Sequence, residues 1–387
     1  QGKSTSQVTI NGANFNPIAA NQIVTFGNRV AEVLGATSNQ LIVKLPTSLI
    51  DSEVNIRIDV AEQSIISNQL FHLISPWKRL TNYPGGNTGD ATAFAIGNYG
   101  YLGLGKETPT FTKRIWKYDP TFGTWTQATT FFFPNEGTGS PFINMNSFVD
   151  GTFAYVGLGS QGGWPQGPEG RVRKYDPSSN TWTNITGIGN NPSAYRTDGA
   201  VSYSINGKGY ITTGRENGNA TSFKMWEYNP TSDTWARKKD LPSLSRWEAT
   251  GFSINSKLYL LGGSPCIGCG SSSILKDVWE YDVFTDNWTQ LPDFPGGRLW
   301  MSTGFSINGV GYVIGGFAGS MDNINMLSDI WKFESSNNTW IHLEDFPGGK
   351  IAAGTVFVIN GKAYYGTGLK DGVGYSSDFW EFDPTKL

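Results

Sequence analysis

Histidine and cysteine are nearly absent from this chain, with two of each in 387 residues. The scarcity of histidine excludes a broad range of chemistry. His72 lies at the end of the N-terminal region, and His342 follows Trp340 by two residues, on a strand read as outermost in its unit. Neither reaches a central site, so a histidine-ligated copper or zinc centre there is excluded, as is a Ser-His-Asp or Cys-His arrangement. No catalytic residue, cofactor or metal is assigned. Two cysteines cannot build a disulfide framework. Cys266 and Cys269 share one short segment. A zinc site would need a second pair, and a thioredoxin-like motif would need a βαβ setting. A small loop-closing disulfide remains, with two reduced structural thiols as the alternative. Charge is also scarce: charged residues are 16% and the net charge is -3. That gives no general pull toward nucleic acid or an anionic membrane. No apolar run is long enough to span a bilayer. No signal peptide is seen, although the chain starts abruptly at Gln1, as a mature or trimmed form would.

Glycine and aromatics are abundant: 49 glycines, 14 tryptophans and an aromatic fraction of 14%. This composition suits an all-β protein with many tight turns. Within it a unit repeats. An apolar strand (Gly251–Asn255) is followed by a turn and a second strand ending in glycine (Leu258–Gly263). A long loop leads to an aromatic strand (Val278–Asp282) and then to a strand opening at Asn287-Trp288-Thr289. The second tryptophan of the unit recurs at 77, 125, 182, 235, 288 and 340, at spacings of 48, 57, 53, 53 and 52. The aromatic-strand position recurs at Trp116, Arg173, Trp226, Trp279, Trp331 and Trp380.

This unit resembles the kelch repeat, whose period is about 50 residues. The matching residues are the Gly262-Gly263 and Gly315-Gly316 pairs, Tyr259 and Tyr312 before them, and the spaced Trp279 and Trp288. The glycine pair degenerates to Leu104-Gly105, Leu158-Gly159, Thr213-Gly214 and Thr367-Gly368. The last unit lacks its fourth strand, and a matching segment, Trp77–Thr81, stands at the start. The expected fold is therefore all-β: a six-bladed kelch-type β-propeller over residues 76–387, closed by the N-terminal strand at 77–81, with an N-terminal immunoglobulin-like β-sandwich. That sandwich spans residues 1–75, where short strands alternate with Gly, Asn and Pro. Its Ile10–Phe15 run and Phe26-Gly27 pair resemble an IPT/TIG domain, a spacer or protein-docking module in its relatives. Such domains usually open with one more strand, for which few residues precede Val8.

The repeated tryptophans are read as blade-to-blade packing rather than as a sugar-stacking array. Propeller geometry puts six long loops on one face: 106–113, 160–170, 215–222, 264–276, 317–328 and 369–377. Binding concentrates on such loops. Counting back from the hairpin turns places Arg196, Arg246, Trp247, Arg298, Trp300 and Lys350 near the channel mouth on that face. Cations and indoles together point to a ligand with carboxylates or hydroxyls and a flat face, such as an acidic protein loop or an acidic sugar. The same side chains could instead plug the channel. Kelch propellers also include copper radical oxidases, which the missing histidines disfavour. A sialic acid mutarotase type remains, for which Glu248 and Asp198 are available besides the arginines. The pairing of the two domains resembles extracellular proteins of Gram-negative bacteria. The function expected is a non-catalytic binding or scaffold role at the cell surface or outer membrane, through a protein partner on the long-loop face. A glycan ligand is the alternative, and a lipid anchor upstream of Gln1 is compatible with either.

Overall fold

The computed structural model describes residues 2–3, 6–46, 53–107, 113–133, 142–161, 170–190, 195–217, 220–266, 274–320 and 323–387. These are nearly all strand and turn, and no helix among them is long and apolar enough to cross a membrane. The chain divides into two compact units, Gln1–Arg79 with Glu381–Leu387, and Leu80–Trp380.

The first unit holds a six-stranded sheet in the order Gln7–Asn11, Gln40–Lys44, Arg29–Ala36, Gln22–Phe26, Ile56–Val60, Gln63–Ile66. A three-stranded sheet pairs Phe71–Ile74 with Glu53–Val54 on one side and Gly2–Lys3 on the other. The opening strand is thus only two residues long, parallel to Leu73-Ile74. Strand alternation sends Val24, Phe26, Leu41, Val43, Ile58 and Phe71 into one core. Phe26 and Phe71 meet edge to face at 4.8 Å.

Six four-stranded antiparallel sheets form the blades of the propeller. Their inner strands are Thr92–Ile96, Asn146–Val149, Val201–Ile205, Thr250–Ile254, Thr303–Ile307 and Thr355–Ile359. The sequence dictates the inner hairpins. Asn206-Gly207, Asn308-Gly309 and Asn360-Gly361 all adopt positive φ at both residues, as a two-residue turn between right-twisted strands requires. In five of the six blades the hairpin stacks a phenylalanine of its first strand on the tyrosine of its second, as in Phe94–Tyr101 at 5.0 Å and Phe252–Tyr259 at 5.3 Å. The third and fourth strands pair Tyr118 with Trp125, Tyr175 with Trp182, Tyr228 with Trp235 and Tyr281 with Trp288, at 4.8 to 5.0 Å. The indole N–H of Trp235 donates to Thr186 and that of Trp288 to Lys239, both on the preceding blade. The repeated tryptophans therefore cement neighbours, each aromatic pair contributing about 0.5–1.5 kcal/mol beyond its burial.

The sixth blade runs Thr355–Ile359, Lys362–Gly366, Phe379–Phe382, Trp77–Arg79 in hydrogen-bonding order. Trp77 packs on Phe382 at 4.8 Å, the relation seen between Tyr281 and Trp288. The Leu80 amide donates to Phe379 and the Tyr83 amide to Ser377. Ring closure also runs through the glycine pairs. The amides of Gly105, Gly214, Gly263 and Gly316 donate to the carbonyls of Phe142, Arg246, Leu299 and Ile351 on the next blade, and Gly368 donates to Thr88 at 2.7 Å, joining the last blade to the first. The residue before each of these glycines is left-handed, even where it is Thr213 (φ 64) or Thr367 (φ 57). A β-branched residue there costs about 1–2 kcal/mol. The blade-to-blade bond holds the conformation in place.

Candidate functional site

Ahead of every inner strand, one residue pairs with another seventeen positions later. The pairs are Gly89 with Lys106, Ile143 with Ser160, Asp198 with Arg215, Trp247 with Ser264, Trp300 with Phe317 and Ala352 with Leu369. The second member of each pair opens one of the six long loops. These twelve positions form the base of the long-loop face, and they set which side chains can reach the channel.

The residue before each pair faces the core: Thr88, Phe142, Thr197, Leu299 and Ile351 are buried there. Arg246 occupies the same position in the fourth blade and is 0% exposed. Its five N–H groups have five acceptors. Nε donates to Leu244 O, Nη1 to Gly262 O and Asp277 Oδ1, and Nη2 to Ser243 Oγ and Asp277 Oδ2. Asp277 also accepts from Trp279 Nε1 at 2.6 Å and from Ser243. Burial works against the Asp277 carboxylate, but the bonds and charge of Arg246 outweigh it and hold its carboxyl below the ordinary range. Arg246 is therefore a core cation with no donor left for a ligand. Its expected role at the mouth is corrected to a structural one.

Arg196, Arg298 and Lys350 share a different position, two residues before the pair, where the fourth blade has Ser245. Arg196 is partly buried and makes no hydrogen bond or ion pair among the described residues. Arg298 is exposed and donates to the Ile274 carbonyl, strapping the base of the 264–276 loop. Lys350 is exposed. The six expected residues thus fall in three positions rather than one ring. Trp247 and Trp300 do come together, at the same position on adjacent blades. Both are partly exposed, and their rings meet edge to face at 5.8 Å. Trp300 also lies against Phe317, at 5.7 Å. Neither indole N–H finds an acceptor among the described residues.

The residue after each pair is Asp90, Asn144, Gly199, Glu248, Met301 or Ala353, and all six are left-handed. Amides link them around the axis: Asn144 N to Asp90 O, Glu248 N to Gly199 O, Met301 N to Glu248 O and Ala353 N to Met301 O. Three of the six side chains are polar. Glu248 Oε1 accepts from Asn144 Nδ2 at 2.9 Å. Burial, with the Asp90 and Asp198 carboxylates nearby, raises the Glu248 carboxyl well above its usual range. Burial pushes Asp90 up to about 6, against the pull of Lys106. Asp198 is raised by burial despite a bidentate bond with Arg215, Nε to Oδ1 at 2.8 Å and Nη2 to Oδ2. The channel end is therefore lined by carboxyls, where the sequence reading put cations. Asp198 and Glu248 were legible as candidates, whereas Asp90 and Asn144 were missed. The seventeen-residue spacing is the signal that would have found them.

Cys266 is disulfide-bonded, and Cys269 lies outside the described residues. The Cys266 carbonyl accepts from Ser264 Oγ, next to the Trp247 pairing.

An all-β chain with six four-stranded sheets closed in a ring is a six-bladed β-propeller, here preceded by an immunoglobulin-like sandwich. Residues 159–349 match the model of the KLHDC2/KLHL20/DRC7 Kelch-repeats domain, and residues 1–73 match the IPT/TIG domain. The chain is a kelch-repeat protein with an N-terminal IPT/TIG domain. It is 26% identical over 272 residues to Kelch-like protein 25 of Xenopus tropicalis, covering 65% of this chain and 43% of that protein. It is 31% identical over 118 residues to N-acetylneuraminate epimerase of Escherichia coli O157:H7, covering 30% of this chain and 32% of that one. The chain thus spans less than half the length of these relatives. The solved structure of YjhT aligns with a TM-score of 0.63 at 17% identity, over 78% of this chain and 96% of that one, a likeness of fold.

Proposed function

We propose that this is a non-catalytic binding protein that docks a protein partner on its long-loop face, at the extracellular or outer-membrane surface. The observation that carries the reading is the Trp247–Trp300 pair, two partly exposed indoles in contact at the base of the long loops. Adjacent aromatics on a rigid frame are what binding hot spots use, because large area is presented at little entropic cost. The disulfide at Cys266 supports an oxidising location. Arg196 and Lys350, each two residues before a pair at the base of this face, supply cations on it, so a partner loop with carboxylates fits better than a basic one. A glycan is the second reading. Indole faces suit sugar rings, and the 118-residue likeness to N-acetylneuraminate epimerase favours a sugar over other small ligands.

The test is a double variant, Trp247→Ala with Trp300→Ala, in the full chain. A partner captured from the native envelope by the parent should be lost by the variant, with the melting transition preserved. Undiminished capture would overturn the docking reading. A glycan array that lights up with the parent and goes dark with the variant would replace the protein partner with a sugar.

A further inference from the structure

The fourth and fifth blades are 53 residues apart up to and along the inner strands, as Trp247 and Trp300 or Thr250 and Thr303 show, and 52 apart along the outer strands, as Trp279 and Trp331 or Trp288 and Trp340 show. Their outer rims differ in one respect. In the fourth blade two carboxylates are each paired with a cation: Asp277 with Arg246 at 2.7 Å, and Asp293 with Lys276 at 3.0 Å. The fifth blade keeps both carboxylates, as Asp329 and Asp345, but loses both cations. Leu299 stands in place of Arg246, and Ser328 in place of Lys276. The third strand's aspartate in the sixth blade, Asp378, is paired too, with Lys370 at 2.7 Å. What the fifth blade gains is an imidazole. The partner of Trp279 across the outer ladder is Gln290, and the corresponding partner of Trp331 is His342.

These three side chains converge. His342 Nε2 lies 3.9 Å from Asp329 Oδ2 and 4.0 Å from Asp345 Oδ1, and the three ligand atoms lie within 4.8 Å of one another. Among the described residues no other three His, Cys, Asp or Glu side chains form such a group. Two ligands on one zinc ion stand at most about 4.2 Å apart, twice the usual bond length. Both histidine distances already satisfy that limit, and a small rotation of the exposed Asp345 brings in the third. The second layer is also in place: the Trp331 ring contacts the imidazole at 4.8 Å, and Ser328 Oγ donates to Asp345 Oδ2 at 3.0 Å. That bond occupies one carboxylate oxygen and leaves Oδ1 toward the histidine, as outer partners of metal ligands do.

We infer that Asp329, His342 and Asp345 bind a divalent transition cation of the zinc type on the outer rim of the fifth blade. The imidazole sets the preference over calcium or magnesium, which favour all-oxygen ligands. The ion takes the place of the two cations that the fourth blade carries in its own sequence. It is distant in sequence and position from the channel carboxylates, and its role is to tie the third strand to the outer strand and the segment that follows.

The test uses the full chain, freed of metal with a chelator, titrated with zinc by calorimetry and followed by thermal melting. One saturable site and a raised melting temperature are expected. His342→Ala should abolish both. Ser328→Lys, which restores the fourth blade's cation, should weaken zinc binding while the fold and its melting temperature without zinc are kept. Absence of saturable zinc binding overturns the proposal. So does binding that survives both variants, which would place the ion elsewhere, for instance at His72 and Glu53.

Discussion

Asn144 and Glu248 stand 104 residues apart and two blades apart, yet their side chains meet at 2.9 Å. The intervening blade contributes Gly199 at that level, and a Cβ there would sit 2.9 Å from Glu248 Oε1. The bond therefore exists because the third blade offers no side chain at the ring. Gly199 also has φ +56, a conformation that other residues adopt at a cost. Gly199→Ala should destabilise the propeller by roughly 1–2 kcal/mol from backbone strain alone. It should also displace Glu248. Chemical denaturation of variant and parent measures the first effect, and an unchanged midpoint would refute it.

Glu248 gives a pH dependence of definite sign. Its carboxyl titrates higher in the folded chain than in the unfolded one, so the folded state holds the extra proton. Stability should then fall as pH rises from the ordinary glutamate value through the raised one. Asp90, up to about 6, adds a loss in the same direction between about pH 4 and 6. Glu248→Gln keeps an acceptor for Asn144 but removes the titration. The variant should match the parent near pH 4 and melt higher than it at neutral pH. A parent whose melting temperature rises across that range, with no difference from the variant, would refute the assignment.

Arg246 makes an energetic prediction opposite to that of a surface cation. Its removal strands Asp277 without the charge that stabilises it. Arg246→Ala should cost about 3–5 kcal/mol in urea unfolding, the range for breaking a buried pair. Arg246→Lys should recover only part of this, because an ammonium cannot reproduce the fork on Asp277 together with the bonds to Leu244, Gly262 and Ser243. A loss under about 1 kcal/mol for the alanine variant would place the side chain outside the core energetics.

The sixth blade makes a cooperative prediction. A chain stopped after Leu369 lacks the Phe379–Phe382 strand, which lies between Lys362–Gly366 and Trp77–Arg79. Two strand edges are then open at once, and such edges invite mispairing. The propeller of the truncated chain should melt at a lower temperature and less cooperatively than that of the full chain, and aggregate. An unchanged transition would mean the last strands carry little of the ring's stability.

Much of this molecule is written locally. The spacing of the tryptophans, the Asn-Gly turns and the glycine pairs identify blades, because each feature acts within one hairpin or between strands adjacent in sequence. The unit count and the segment resembling a fourth strand at Trp77 were readable for the same reason. The channel end was not. Arg246 and Trp247 are neighbours in sequence, but successive residues of an extended chain point to opposite sides, so a count that is off by one exchanges core for channel. Only the seventeen-residue pairing across each blade shows that Arg246 faces Asp277 while Trp247 faces Trp300. The Asn144–Glu248 bond and the gathering of Asp329, His342 and Asp345 likewise depend on closure of the ring and on strand partners that no local pattern specifies. Local periodicity determined the fold; the contacts that carry chemistry were decided by tertiary structure, because they join residues whose distances are set only when the blades pack.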